Sequence, residues 1–130
     1  MASALDPTVN GVVSEGAYAN FEEAMNTWFE RKAPGASVYL KPVVWFASSM
    51  SGIKPGSVLP VEAAAKWKGK PALVVEGGDD HLIVMSHATR LSEAAGCPLW
   101  VVPGAEHAQC YEKASYEYMK RLAAFGNGLK

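Results

Sequence analysis

The chain has 130 residues, 49% of them hydrophobic and 19% charged, which is about one domain's worth of sequence with enough apolar side chains to bury a core and excludes a disordered tail. With 12 Lys and Arg against 13 Asp and Glu, the net charge of -1 excludes the basic footprint that phosphate-backbone binding requires. The apolar runs fall far short of the roughly 20 residues that cross a bilayer, residues 1–7 carry neither a basic start nor an apolar run, and Cys97 and Cys110 make neither a disulfide framework nor a CxxC clip. These features predict a single cytoplasmic domain over residues 1–130, with no nucleic-acid or membrane partner, no metal and no cofactor.

In chain order, residues 9–13 read as a first strand. After the turn Ser14-Glu15-Gly16 comes a helix with Tyr18, Phe21, Met25, Trp28 and Phe29 at helical spacing, stopped by Pro34-Gly35. The aromatic and β-branched content of residues 38–50 suits a strand, but Pro42 sits badly inside a central strand and well in a first helical turn, so a helix over 42–51 closed by Gly52 is expected. Residues 52–60, with two prolines and two glycines, read as a loop. Pro60 then opens a short helix over 61–68 that ends at Gly69.

Residues 71–76 form the clearest strand, a continuous apolar run of the kind buried on both faces, and 77–80 a loop. Next come a helix over roughly 86–95 with Gly96 as its stop, a third buried strand over 98–102 and a loop over 103–107. The last helix carries Tyr111, Ala114, Tyr118, Leu122 and Phe125 on one stripe and ends near Gly126. This alternation predicts an α/β fold, three layers deep, in which crossover helices cover a short parallel sheet of about three strands.

Ligands of open α/β sheets bind beyond the carboxyl ends of the strands. Two such ends carry ionisable groups here: Asp79 and Asp80 after the strand ending at Glu76, and His107 after the strand ending at Val102. An Asp that accepts from a histidine ring N–H fixes the tautomer and stabilises the imidazolium, as a general base in acyl transfer requires. The plainer alternative makes Asp80 a helix cap and His107 an ordinary loop residue.

The run PALVVEGGDDHLIV at 71–84 resembles the stretch of α/β-hydrolase-fold enzymes that reads Pro, apolar strand, His-Gly-x-x-Asp-x-x-Val. LWVVPGAEH at 99–107 is similar to that family's strand followed by Pro-Gly-x-x-His, residues 116–125 to its closing helix, and GSVLPVEAAAKWKGKP at 56–71 to its lead-in. The resemblance is to members with a serine nucleophile, and it implies that Asp80 is the triad acid and His107 the triad base. Asp79 is the neighbouring register, and Glu76-Gly77 stands where the family has His-Gly.

The family's full domain has an eight-stranded sheet with its serine on a G-x-S-x-G turn, a motif that this sequence lacks. Residues 3–9 read like the segment just after the nucleophile helix, and VNGVVSEGAYANF at 9–21 like the sixth strand and its exit. The resemblance therefore implies a C-terminal portion that holds acid and base without nucleophile or oxyanion hole, and without hydrolytic activity of its own. An edge left bare on the first strand predicts a homo-oligomer, most simply a two-fold dimer, with a separate N-terminal half as another partner.

Other chemistries remain open at this point. Ser14 lies between an apolar run and a helix in the family's Ser, Asp, His order, making an active carboxylic-ester hydrolase the alternative, although Val12 and Glu15 crowd and charge the turn. Ser51 is a weaker nucleophile candidate. Cys110, three residues past His107, is either a thiolate activated by the imidazole or a small hydrophobe opening a helix. His81 and His87 are six residues apart and would not share a helix face, which argues against a metal site with His107. Trp45 and Phe46 could line an acyl pocket in an intact enzyme.

Overall fold

The computed structural model describes Asp6 and residues 8–129. The elements are β1 (Val12–Glu15), α1 (Phe21–Lys32), α2 (Ala36–Ser51), α3 (Pro60–Ala65), β2 (Ala72–Gly77), α4 (Met85–Ala95), β3 (Leu99–Val102) and α5 (Cys110–Asn127). The strands form one open parallel sheet in the order β1-β2-β3, with Val13 opposite Leu73 and Glu76 opposite Val101. This is the expected α/β architecture, and β2 occupies the centre.

Strand alternation divides the core in two. Leu73 and Val75 point to one face and pack with Val102, Ala105 and Cys110 under α5, joined by Val13, Tyr118 and Phe125. Val74 points to the other and packs with Ala19, Ala88 and Leu91 under α3 and α4. A strand that must satisfy two apolar faces carries apolar residues at successive positions, which is why residues 72–75 read as an unbroken run.

Several boundaries differ from the sequence expectation for local reasons. The first strand lies at Val12–Glu15, a little further along than 9–13. Gly11, just before it, lies so close to the Phe125 and Leu129 side chains that an added Cβ would collide with them. Tyr18 is not helical, because Asn20 caps α1 by accepting from the Glu23 N–H at 3.1 Å. The helix expected over 42–51 begins at Ala36, immediately after Gly35 with φ at 83°, so Pro42 lies inside it. Pro42 removes one backbone hydrogen bond there, a loss that water can make good along a solvent-exposed helix. α3 stops at Ala65, short of residue 68, and the chain turns through Gly69 with φ at 83°. Gly52 and Gly96 close α2 and α4 in left-handed conformations, as glycines past a helix end do. The expectation that residues 3–9 continue from a nucleophile-bearing helix falls largely outside the described residues.

α2 contributes little to either core. Val38, Tyr39, Val43, Trp45, Phe46 and Met50 are all well exposed, Tyr39 at 82% and Trp45 at 70%. Trp45 and Phe46 thus pack into neither core.

Leu91 tests this division of the core. Leu91→Ala is expected to lower the unfolding free energy by about 2–5 kcal/mol, the range for a buried leucine, whereas Tyr116→Ala on the exposed side of α5 stays within about 0.5 kcal/mol. Urea denaturation followed by tryptophan fluorescence measures both.

Candidate active site

The site is built from the loops that leave β2 and β3, which backbone hydrogen bonds lock together. Gly78 N–H donates to Val102 O at 2.8 Å and Asp79 N–H to Ala105 O at 3.0 Å. The approach is so close that a Cβ at Gly77 would collide with the carbonyl oxygens of Ala105 and Glu106. Only glycine fits there, which gives the Gly77 of this loop a steric reason.

Asp80 stands at the end of the first loop with its side chain 1% exposed. Its Oδ1 accepts from the Leu82 N–H at 2.7 Å and the Ile83 N–H at 2.8 Å. Its Oδ2 lies 2.8 Å from Nδ1 of His107, 27 residues further along the chain. Burial opposes ionisation, but the donors from Ile83, His107 and Leu82 outweigh it and hold the Asp80 carboxyl below its ordinary range. An ionised Asp80 can only accept, so Nδ1 of a neutral His107 carries the hydrogen and Nε2 is left with its lone pair. The His107 side chain is 37% exposed, its ring rests against Gly16, and among the described residues no hydrogen bond engages Nε2. Asp79 is exposed and leaves the histidine to Asp80.

The other sequence candidates lie elsewhere. Ser14 is within β1 opposite Val74, on an apolar groove shared with Ala64, Trp67 and Leu91. The strand runs on through Glu15 and α1 starts only at Phe21, so Ser14 is not on a strand-turn-helix elbow, and no hydrogen bond joins it to His107. Cys110 is buried at the start of α5. Burial first, and the Glu15 carboxylate next, push its thiol up to about 12, so it is not an activated thiolate. Glu15 instead caps α5, accepting from the Cys110 N–H at 3.3 Å and the Tyr118 hydroxyl at 2.5 Å. Ser51 ends α2 and accepts from the Ile53 N–H at 3.2 Å. His87 is buried and its Nδ1 accepts from the Ala19 N–H at 3.3 Å; burial lowers its pKa and keeps it neutral. His81 and His107 share a cleft, from which His87 is absent.

Glu76 is the group that sequence reasoning passed over. It ends the apolar run of β2 and is fully buried, and among the described residues neither carboxyl oxygen has a hydrogen-bond partner of ordinary geometry. Burial first, and then the neighbouring Asp80 carboxylate, raise its pKa to about 8, so it is a neutral acid at neutral pH.

No protein-family model matches the sequence, and a search of curated proteins returns no match. Among solved structures, the chain is similar to an acylaminoacyl peptidase from Pyrococcus horikoshii, with a TM-score of 0.57 and 14% identity over 94% of this chain. The chain spans 20% of that protein's length. The likeness is one of fold: three parallel strands in one open sheet with covering helices, an α/β arrangement. Among the described residues, no helix is long and apolar enough to cross a membrane.

Glu76 gives a pH signature of known sign. Its pKa is raised in the folded state, so its contribution to stability is complete below the unfolded value of 4.5 and is lost as pH rises through about 8. His87 is lowered from 6.5, so its contribution is already complete above that pH, and Cys97, Cys110 and Tyr118 act only above their ordinary values of 9 and 10. Between roughly pH 6.5 and 8.5 the wild-type protein is therefore expected to lose stability in denaturant titrations. Glu76→Gln, which has no ionisable group there, flattens that fall.

Proposed function

We propose that the chain carries the acid and base of a Ser-Asp-His triad, Asp80 and His107, on an α/β-hydrolase-like portion that lacks the nucleophile, and that alone it has no hydrolytic activity. The observation that carries this reading is the 2.8 Å contact between Asp80 Oδ2 and His107 Nδ1 at the carboxyl ends of adjacent parallel strands. In such a pair the carboxylate fixes the ring tautomer and stabilises the imidazolium while Nε2 takes a proton from an attacking hydroxyl. No hydroxyl or thiol among the described residues is hydrogen-bonded to that nitrogen, which supports inactivity over an ester hydrolase using Ser14. The exposure of His107 in an open cleft favours a second reading, in which a partner chain supplies the nucleophile.

Self-association belongs to the same proposal. Val12 and Gly16 donate their N–H groups inward to Pro71 O and Val75 O, so the alternate residues Val13 and Glu15 turn theirs away from β2. Beside that edge lies the apolar groove of about 420 Å³, and α2 carries exposed aromatics elsewhere on the surface. Bare edges and apolar patches of this kind template pairing with a second copy.

Three measurements test the reading. In 15N NMR the neutral ring of His107 is expected to be the Nδ1–H tautomer; an Nε2–H tautomer would overturn the assignment. A fluorophosphonate probe is expected to give no labelling and p-nitrophenyl esters no turnover; stoichiometric labelling lost in Ser14→Ala would establish the Ser14 ester hydrolase instead. Sedimentation is expected to give a dimer, and a monodisperse monomer at micromolar concentration would remove the self-association.

A further inference from the structure

We propose that the cleft beside His107 is a carboxylate-binding subsite, so that the acyl compounds this site accommodates carry a free carboxylate next to an aromatic or apolar group. The inference rests on the reading of Asp80 and His107 as an acid–base pair and adds to it the chemistry of the ligand.

The cleft has a volume of about 330 Å³, enough for a small molecule. His107 forms one wall, and the last turns of α1 bring Trp28, Arg31 and Lys32 to another. Basic residues at a helix C-terminus are commonplace, since they complement the helix dipole. Arg31 does something more specific. Its Nη1 donates to the carbonyl oxygen of His81 at 2.6 Å, across 50 residues of chain, and so fixes the guanidinium against the loop that carries Asp80. One donor is used in that tether, and a guanidinium has five, arranged in a planar fork that matches a carboxylate.

Neither Arg31 nor Lys32 forms an ion pair with an acidic side chain among the described residues. Glu106 also lines the cleft but lies beyond ion-pair distance of both, so two cations face one carboxylate and the balance favours an anion. The Trp28 ring supplies the apolar surface. A ligand whose carboxylate meets Arg31 and Lys32 is thus held within the same small cleft as His107, where the base would face an acyl carbonyl.

The test uses N-acetylphenylalanine and its neutral counterpart N-acetylphenylalaninamide as probes, titrated against the full chain and followed by the Trp28 indole and His107 ring resonances in NMR. The carboxylate is expected to bind at least tenfold more tightly than the carboxamide, with its advantage shrinking as salt rises from 0.05 to 0.5 M. Lys32→Glu, on an exposed side chain, is expected to bring the two probes within twofold of one another. Equal binding of the two probes, no binding of either, or an advantage that survives Lys32→Glu would overturn the subsite. The tautomer of His107 is read independently in the same spectra, so failure of the subsite and failure of the Asp80–His107 assignment are separate results.

Discussion

A strand buried on both faces and paired on both edges has no freedom left in its backbone, and β2 is such a strand. Its N–H and carbonyl groups are taken by β1 and β3, and its side chains are divided between two cores. The next loop therefore leaves from a fixed point and in a fixed direction. Gly77 and Gly78 press against the backbone of the loop after β3, too tightly for side chains, and the two loops behave as one ledge. The short distance between Asp80 and His107 is a consequence of this packing more than of any attraction between them. A hydrogen bond worth on the order of 1–3 kcal/mol could not by itself order two free loops, given the entropy cost of fixing each residue.

The two buried carboxyls at the end of β2 show how environment divides like groups. Asp80 and Glu76 are both nearly sealed from water, and burial alone would push both towards the neutral form. Asp80 has two backbone donors and an imidazole to compensate its charge, whereas Glu76 has no donor of comparable geometry and faces the charge of Asp80. Only one of the two can ionise at modest cost, and the donors decide which. Holding Glu76 neutral keeps a second negative charge away from the histidine's partner.

The second and third strands were legible in the sequence because a run of successive apolar residues between Pro or Gly punctuation has few other readings, as at 71–76 and 98–102, although β3 is an edge strand in which only Val102 is buried, not the buried strand expected. The Asp80–His107 juxtaposition was legible for a topological reason: short crossovers make consecutive parallel strands neighbours, and the residues just past their carboxyl ends then meet. The start of α2 is not legible in the sequence because Pro42 by itself favours a first helical turn, while the helix is launched by the left-handed turn at Gly35 and carries the proline along. Glu76 was passed over because a carboxylate at the end of an apolar run reads as the point where a strand reaches water, and only packing from β3 and the adjoining loop seals it. Arg31 was invisible as a tether for another reason: its partner is a backbone carbonyl in a distant loop, and no residue type signals that.

The two edges of the sheet are not equivalent, and the difference bears on which one meets another molecule. β3 is followed by Pro103, which lacks an N–H on the outward side of the strand, so its four-residue ladder is blunted at the carboxyl end, whereas Pro98 faces β2 and its carbonyl accepts from the Val74 N–H at 3.0 Å. β1 is bracketed by Gly11 and Gly16 instead, and nothing beside it removes a donor. A charged residue often protects such an edge, and β1 does contain Glu15. Its carboxylate, however, is drawn inward to the Tyr118 hydroxyl and the Cys110 N–H, where it serves as the cap of α5. The one charge that could have repelled an incoming strand is spent on anchoring the last helix, and the outward N–H groups of Val13 and Glu15 stand without electrostatic protection.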